Sequence, residues 1–260
     1  MDPASTVPPG RPRRRWLTAL IIGWAAILAV LAFLATGRAP TVKEQVNAGV
    51  SRTEMARGTA MALRSLAGAE GVLVTATGFE FTEACKVTPV RDGVRYTQTV
   101  RVYTPQENVV SVMERLYGAL RTDYDLVNNG AGGYAGHASP FISALLVPTL
   151  DAPVTWRLDT GCRPDDEPTA TLDPPAAPGP QATALLAGPW RAALVDCGDG
   201  RSAKTYTATG AGTVGEPAWK TYTGTAGGTG WAAGAPPEGT LTVTAEGDGE
   251  ITVRETTACA

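Results

Sequence analysis

The stretch CKVTPVRDGVRYTQTVRVYTP, residues 85–105, decides the fold because apolar and polar side chains alternate on both sides of a turn signal. The dipeptide Asp92-Gly93 favours a tight turn between two strands and predicts a β-hairpin at that point. After it, valine and tyrosine alternate with arginine and threonine, as in a strand with one buried face. The stretch therefore predicts an antiparallel sheet.

Helical patterns lie on both sides of this hairpin. Residues 41–44 and 104–107 have the spacing of a helix-capping box, and apolar residues at helical spacing follow each of them. The strand-like runs FISALLV and PVTWRLDTGC come later in the chain. The order helix, strands, helix, strands predicts an α+β fold, a two-layer sandwich with two helices on one antiparallel sheet.

The C-terminal part of the chain has a different pattern. In TLTVTAEGDGEITVRET, residues 240–256, apolar side chains alternate before and after a Gly-Asp-Gly turn. The runs WRAALVDCG and SAKTYTATG are also strand-like, and no helical period is present. This part predicts a small all-β domain, a sandwich or a partial barrel.

A proline-rich stretch separates the two patterns and predicts an extended linker, because such a composition buries little apolar surface. The prediction divides the chain into a cytoplasmic tail at 1–15, a transmembrane helix at 16–36, an α+β domain at 37–162, a linker at 163–184 and a small β domain at 185–260.

The N-terminal region predicts a membrane anchor. The 20 residues from Trp16 to Ala35 carry no charge and would span roughly 30 Å as a helix, about the thickness of the hydrocarbon core. A cleaved export signal is the alternative, and RRRWLT at 13–18 resembles a twin-arginine signal. Four arginines precede the run, so the positive-inside rule predicts a cytoplasmic N-terminus and an external C-terminus.

Four cysteines follow the apolar run: Cys85, Cys162, Cys197 and Cys259. An even count outside a membrane favours two disulfides, and four free thiols are the alternative. Four cysteines allow three pairings. The predicted linker favours Cys85–Cys162 and Cys197–Cys259, because each bridge then closes a loop within one domain.

Three segments carry a resemblance to a known group of proteins. EACKVTPVRDGVRYTQTVRVYTP, the amphipathic helix that follows it, and LDTGCR at 158–163 resemble a pattern in uncharacterised membrane-anchored envelope proteins of high-GC Gram-positive bacteria. The resemblance covers about half of the chain. It implies an α+β fold and an external address, and it implies no activity.

No motif for catalysis, a cofactor or a metal is found. His137 is the only histidine, and Ser139 lies two residues away, but no signature supplies a third group to orient such a pair. The loop NNGAGGYAG lacks the ending of a phosphate-binding loop. The carboxylates at 123, 125 and 165–167 lack calcium-binding spacing, and the cysteines lack zinc-binding spacing.

The net charge and the aromatic residues of the chain narrow the possible classes of function. The net charge is −3 and there is no basic stripe after Trp16, which argues against nucleic-acid binding. Four aromatic residues of the β-rich part either fill its core or form a surface that binds sugars or a protein: Tyr206, Trp219, Tyr222 and Trp231.

The sequence thus predicts a non-catalytic binding or assembly component of the bacterial cell envelope. Its predicted partners are the lipid bilayer, through Trp16 to Ala35, and an envelope protein or cell-wall polysaccharide. The alternatives are an envelope hydrolase and a sensor subunit that acts through a membrane partner.

Overall fold

The computed structural model describes residues 13–36, 46–138, 141–149, 152–164, 177–212, 220–226, 229–236, 239–245 and 249–259. The chain forms two compact units, Met1–Thr41 and Val42–Ala260.

The first unit contains one helix, α1 (Arg13–Thr36). The large apolar side chains described for it, from Trp16 to Leu31, are all exposed. Within the described part of the chain, no helix is both long enough and apolar enough to cross a membrane. The single-pass anchor stays a prediction.

The second unit contains two antiparallel sheets, which confirms the predicted α+β class with antiparallel pairing. The first sheet is made of β1 (Leu73–Ala76), β2 (Glu80–Thr88), β3 (Arg91–Tyr103), β4 (Val127–Asn128), β5 (Tyr134–Ala138), β6 (Ile142–Val147) and β7 (Val154–Asp159). Its order is β1-β3-β7-β6-β5-β4. The long strand β3 pairs with β7 on one edge, and with both β1 and β2 on the other.

The hairpin is present, but its predicted turn is wrong. Strand β2 reaches Thr88, which pairs with Arg91, so the turn is formed by Pro89 and Val90. The ring of proline fixes the φ angle at the value that the first central residue of a tight turn requires. Gly93 instead lies in β3 opposite Cys85, where an added Cβ would be 2.6 Å from the carbonyl oxygen of Arg163. This glycine serves close packing.

Two helices contact the first sheet, α2 (Ala48–Leu66) and α3 (Val109–Leu120). Helix α2 is capped by Asn47, whose side chain accepts a hydrogen bond from the backbone N–H of Val50. The earlier start predicted at 41–44 lies outside the described residues. A 3-10 turn at Gln106–Asn108 precedes α3, and Thr104 makes no capping hydrogen bond there. The two-layer arrangement stays a prediction.

The second sheet follows a short helix, α4 (Pro180–Leu185). Its strands are β8 (Arg191–Gly198), β9 (Arg201–Ala211), β10 (Tyr222–Ala226), β11 (Thr229–Gly234), β12 (Thr240–Ala245) and β13 (Glu250–Thr256). Their order is β10-β11-β12-β13-β9-β8. Apolar residues of one face pack with α4 and the residues after it. Threonines occupy alternate positions of β9, β12 and β13. Because alternate side chains of a strand point to the same face, these threonines lie on the opposite face of the second sheet.

The two sheets pack against each other within the second unit. One apolar cluster contains Val195, Cys197 and Ala203 of the second sheet together with Met55 and Ala62 of α2. At the edge of the first sheet, the backbone N–H of Ala76 donates to Thr256, and its carbonyl oxygen accepts from Thr205. Both predicted domains therefore contribute to one core, and the domain boundaries stay predictions.

Both disulfides have the pairing that the sequence analysis favours. Cys85–Cys162 joins β2 to the end of β7, and Cys197–Cys259 joins β8 to the chain after β13. Arg163 follows the first bridge and is fully buried, with its Nε donating to the carbonyl oxygen of Thr160 at 2.7 Å. Burial lowers the pKa of Arg163. The beginning of the predicted linker is therefore folded.

Candidate functional site

A groove of about 800 Å³ lies between the edges of the two sheets. One wall is the first part of β2 with the residues before it, and the other is formed by β8 and β9. This volume is within the range of ligand-binding pockets, roughly 300–1,000 Å³. The lining residues that matter here are Gly78, Phe79, Glu80, Phe81, Thr82, Arg191, Thr207 and Thr209.

An aromatic cluster forms the wall on the side of β2. Phe79 stacks on Tyr96 with ring centroids 4.3 Å apart, and Arg52 of α2 lies over Phe79 at 5.7 Å. Phe81 meets the same tyrosine edge to face at 6.1 Å, and 59% of Phe81 is exposed. A stacked partner and a cation thus occupy Phe79, whereas Phe81 presents an open ring to the groove.

Threonine hydroxyls line the opposite side. Thr205, Thr207 and Thr209 alternate along β9 and point to one face, with a spacing of about 7 Å between successive residues. Thr205 is buried and bonded to Ala76, and Thr209 shares a hydrogen bond with Thr252. Thr207 makes no hydrogen bond through its side chain within the described chain. Its hydroxyl is able both to donate and to accept.

The groove carries one charge of each sign. Glu80 and Arg191 are exposed, and neither forms an ion pair with another described residue. The lining is therefore neutral in sum. It does not attract a polyanion as a basic groove would.

A glycine lets the two walls approach each other. A Cβ added to Gly78 would clash with the Cβ of Ala193 on β8. The backbone conformation of Gly78 needs no positive φ, so the absence of a side chain matters only for packing. The contact between Gly78 and Ala193 therefore positions β8 beside the start of β2.

Of the four aromatic residues singled out in the sequence, the three that the structure describes are buried or half-buried. Tyr206 is buried, and so is Trp231, which packs against Tyr103 with ring centroids 5.0 Å apart. Tyr222 is half-buried and donates to the carbonyl oxygen of Gly71 at 2.9 Å. Trp219 lies outside the described residues. The positions of the first three agree with the core alternative.

A second cleft, of about 390 Å³, lies beside Tyr222 and Trp231. Thr104 lines it, and the Oγ1 of this residue is buried without a hydrogen-bond partner among the described residues. Only 8% of Trp231 is exposed, so its ring offers little surface to a ligand. We therefore favour the larger groove as the candidate site.

The other residues considered for chemistry lie apart or are engaged in structural contacts. His137 is exposed on β5, and Ser139 lies outside the described residues. Asp123 forms an ion pair with Arg57 at 2.8 Å. The carboxylates at 165–167 also lie outside the described residues. Among the side chains that are placed, no group of three or more metal-ligating residues occurs.

Charged groups with shifted pKa values surround the end of β7. Burial alone would raise the pKa of Asp159, but hydrogen bonds from Arg95 and the backbone N–H of Gly161 outweigh it and hold that pKa below its ordinary value. The same carboxylate raises the pKa of Arg95. These residues do not line the groove, and the ion pair stabilises the end of a strand.

Sequence reasoning missed Phe81 and Thr207 as site residues. The sequence TGFEF at 77–81 does contain a signal, since Phe79 and Phe81 alternate with charged Glu80 at the start of an exposed strand. Thr207 carries no comparable signal in the sequence. Threonine alternates both where the second sheet lines the groove and where it is buried, so the pattern does not single out the residues of the groove.

Comparison with models of known protein families, with curated proteins and with solved structures found no match.

Proposed function

We propose that the chain is a single-pass envelope protein whose unit Val42–Ala260 lies outside the cytoplasmic membrane and binds an envelope component without catalysis. The observation that carries the proposal is the pair of disulfides, Cys85–Cys162 and Cys197–Cys259. Disulfides persist in oxidising compartments outside the cytoplasm, and reducing systems inside it keep thiols reduced.

The N-terminal sequence is the basis of the anchoring part of the proposal, because the 20 residues from Trp16 to Ala35 carry no charge. The large apolar side chains described for α1, from Trp16 to Leu31, are exposed within its own unit. A helix that is apolar on all sides is suited to a bilayer or to the interior of a large assembly. The arginine cluster at 11–15 then sets the cytoplasmic end.

The binding part of the proposal rests on the groove. It is open to solvent, it carries an exposed aromatic ring and uncommitted polar groups, and it lies on two disulfide-stapled sheets. A rigid scaffold of this kind positions a binding site with little loss of conformational entropy on association.

The state of the cysteines in intact cells tests the proposal. Acid is added to cells that express the full-length protein, which preserves the oxidation state of its cysteines. The protein is then alkylated with a mass-tagged maleimide before and after reduction and separated by gel electrophoresis. We expect no tags before reduction and four tags after it. Four tags before reduction would show a reducing compartment and contradict the external address.

A further inference from the structure

We propose that the groove between β2 and β8 binds a neutral, unbranched saccharide chain, with Phe81 stacking on a sugar ring and Thr207 hydrogen-bonding to its hydroxyl groups. This inference rests on the proposed function, because it takes its ligand from the envelope. It names the chemical class of that ligand and the residues that contact it.

The exposed ring of Phe81 accounts for the stacking. A pyranose ring has an apolar face of C–H groups and a polar rim of hydroxyls, so it packs on an aromatic face without desolvating its polar groups. Tyr96 contacts Phe81 edge to face at 6.1 Å, and 59% of Phe81 is still exposed. Burying this large exposed apolar surface favours association.

The row of threonines accounts for the hydrogen bonding. Thr207 and Thr209 repeat along β9 at about 7 Å, and Thr82 lies on the facing wall. Sugar hydroxyls both donate and accept hydrogen bonds, as threonine hydroxyls do. A linear chain with repeating hydroxyls therefore matches a linear array of threonines better than a compact ligand does.

The balance of charges that line the groove is the reason for proposing a neutral ligand. Glu80 and Arg191 cancel each other in net charge, and neither forms an ion pair within the described chain. The carboxylate of Glu80 can accept hydrogen bonds from sugar hydroxyls, and the guanidinium of Arg191 can donate hydrogen bonds to them. An anionic polymer would gain from Arg191 but would lose as much from Glu80.

An extended peptide is the competing occupant, since a strand could pair with an open sheet edge. Such pairing uses backbone groups and would depend little on the hydroxyl of one threonine. The proposal and its competitor therefore differ in how strongly binding depends on Thr207 and on the ring of Phe81.

Titration calorimetry on the full-length protein in lipid nanodiscs tests the proposal. The probes are chitohexaose, maltohexaose and α-1,6-mannohexaose, with hexagalacturonate as the anionic comparator and a neutral Thr-Gly decapeptide as the peptide. We expect at least one neutral hexasaccharide to bind. Phe81→Ala should weaken its binding about tenfold, and Thr207→Val about fivefold.

Matched controls use residues away from the groove. Val90→Ala removes a side chain that is 93% exposed at the β2–β3 turn, and Thr240→Val removes a hydroxyl of β12. Both should bind the hexasaccharide as the unaltered protein does. Circular dichroism and thermal melting check that all four variants are folded.

Three results would overturn the inference: binding of none of the neutral hexasaccharides, hexasaccharide binding that survives both groove variants, or tighter binding of the anionic hexamer or the decapeptide. None of these results changes the oxidation state of the cysteines in cells. Failure of the saccharide inference is therefore distinguishable from failure of the external address.

Discussion

Asp159 lies at the end of β7, where three hydrogen bonds from Arg95 meet its carboxylate at 2.6–3.0 Å. Its side chain is 10% exposed, and the backbone N–H of Gly161 donates a fourth bond at 2.7 Å. Glu83 of β2 completes the network through Arg95 at 3.0 Å. The network links β2, β3 and β7 next to the disulfide Cys85–Cys162.

The network predicts a pH-dependent contribution to stability. The pKa of Asp159 is lower in the folded chain than the ordinary value of about 3.9. Its contribution is therefore present above about pH 4 and is lost as the pH falls through the folded pKa. Asp159→Asn should lower the free energy of unfolding by about 2 kcal/mol at pH 7, and by less at pH 3.

Urea unfolding at several pH values measures this effect. Asp92→Asn is a matched control, because Asp92 pairs with Lys86 but is 84% exposed at its side chain. That change should cost under about 1 kcal/mol, as exposed ion pairs do. A loss for Asp159→Asn that is equal at pH 7 and pH 3 would contradict the assigned role of the carboxylate.

Single residues also mark the limits of sequence reasoning. The dipeptide Asp92-Gly93 is a strong turn signal, yet the turn lies at Pro89 and Val90. Local propensity could not reveal that Gly93 is required for its approach to Arg163, a residue 70 positions later in the chain. In the same way, nothing near Gly78 in the sequence indicates that Ala193 packs on it.

At the level of elements, the sequence predicted what depends on short-range periodicity. The alternation at 85–105 predicted the hairpin of β2 and β3, and the runs at 190–198 and 240–256 predicted β8, β12 and β13. The apolar period after Gln106 predicted α3. The groove could not be predicted in this way, because its walls lie more than 100 residues apart in the chain.

The disulfides should stabilise the elements that they join. Cys85–Cys162 closes a separation of 77 residues and Cys197–Cys259 one of 62. In the chain-entropy model, each bridge contributes about 4 kcal/mol by restricting the unfolded chain. The double variants Cys85→Ser/Cys162→Ser and Cys197→Ser/Cys259→Ser should each lower the free energy of unfolding by about that amount.

Denaturant unfolding of the two double variants checks this prediction, and each variant serves as the control for the other. The two separations are similar, so the model requires losses within about 1 kcal/mol of each other. A variant that unfolds at the same denaturant concentration as the unaltered protein would show that its bridge is absent or contributes nothing.

At the level of the whole molecule, both sheets belong to one compact unit, Val42–Ala260. The composition of residues 163–184 predicted a linker, but composition does not reveal packing, and Val195 and Cys197 join the core that contains Met55. The α+β class followed from the order of patterns along the chain. The shared core depends on long-range contacts between side chains and could not follow from that order.

We propose above all that the apolar segment from Trp16 to Ala35 anchors the chain and that the unit Val42–Ala260 faces outward. Membranes from cells that express full-length protein with a C-terminal epitope tag are washed with alkaline carbonate, and intact spheroplasts are treated with protease. We expect the protein to stay in the washed membranes at full length and the protease to remove the tag without lysis. Release by carbonate, an N-terminus of the mature protein near Arg38, or a tag that is protected until lysis would contradict it.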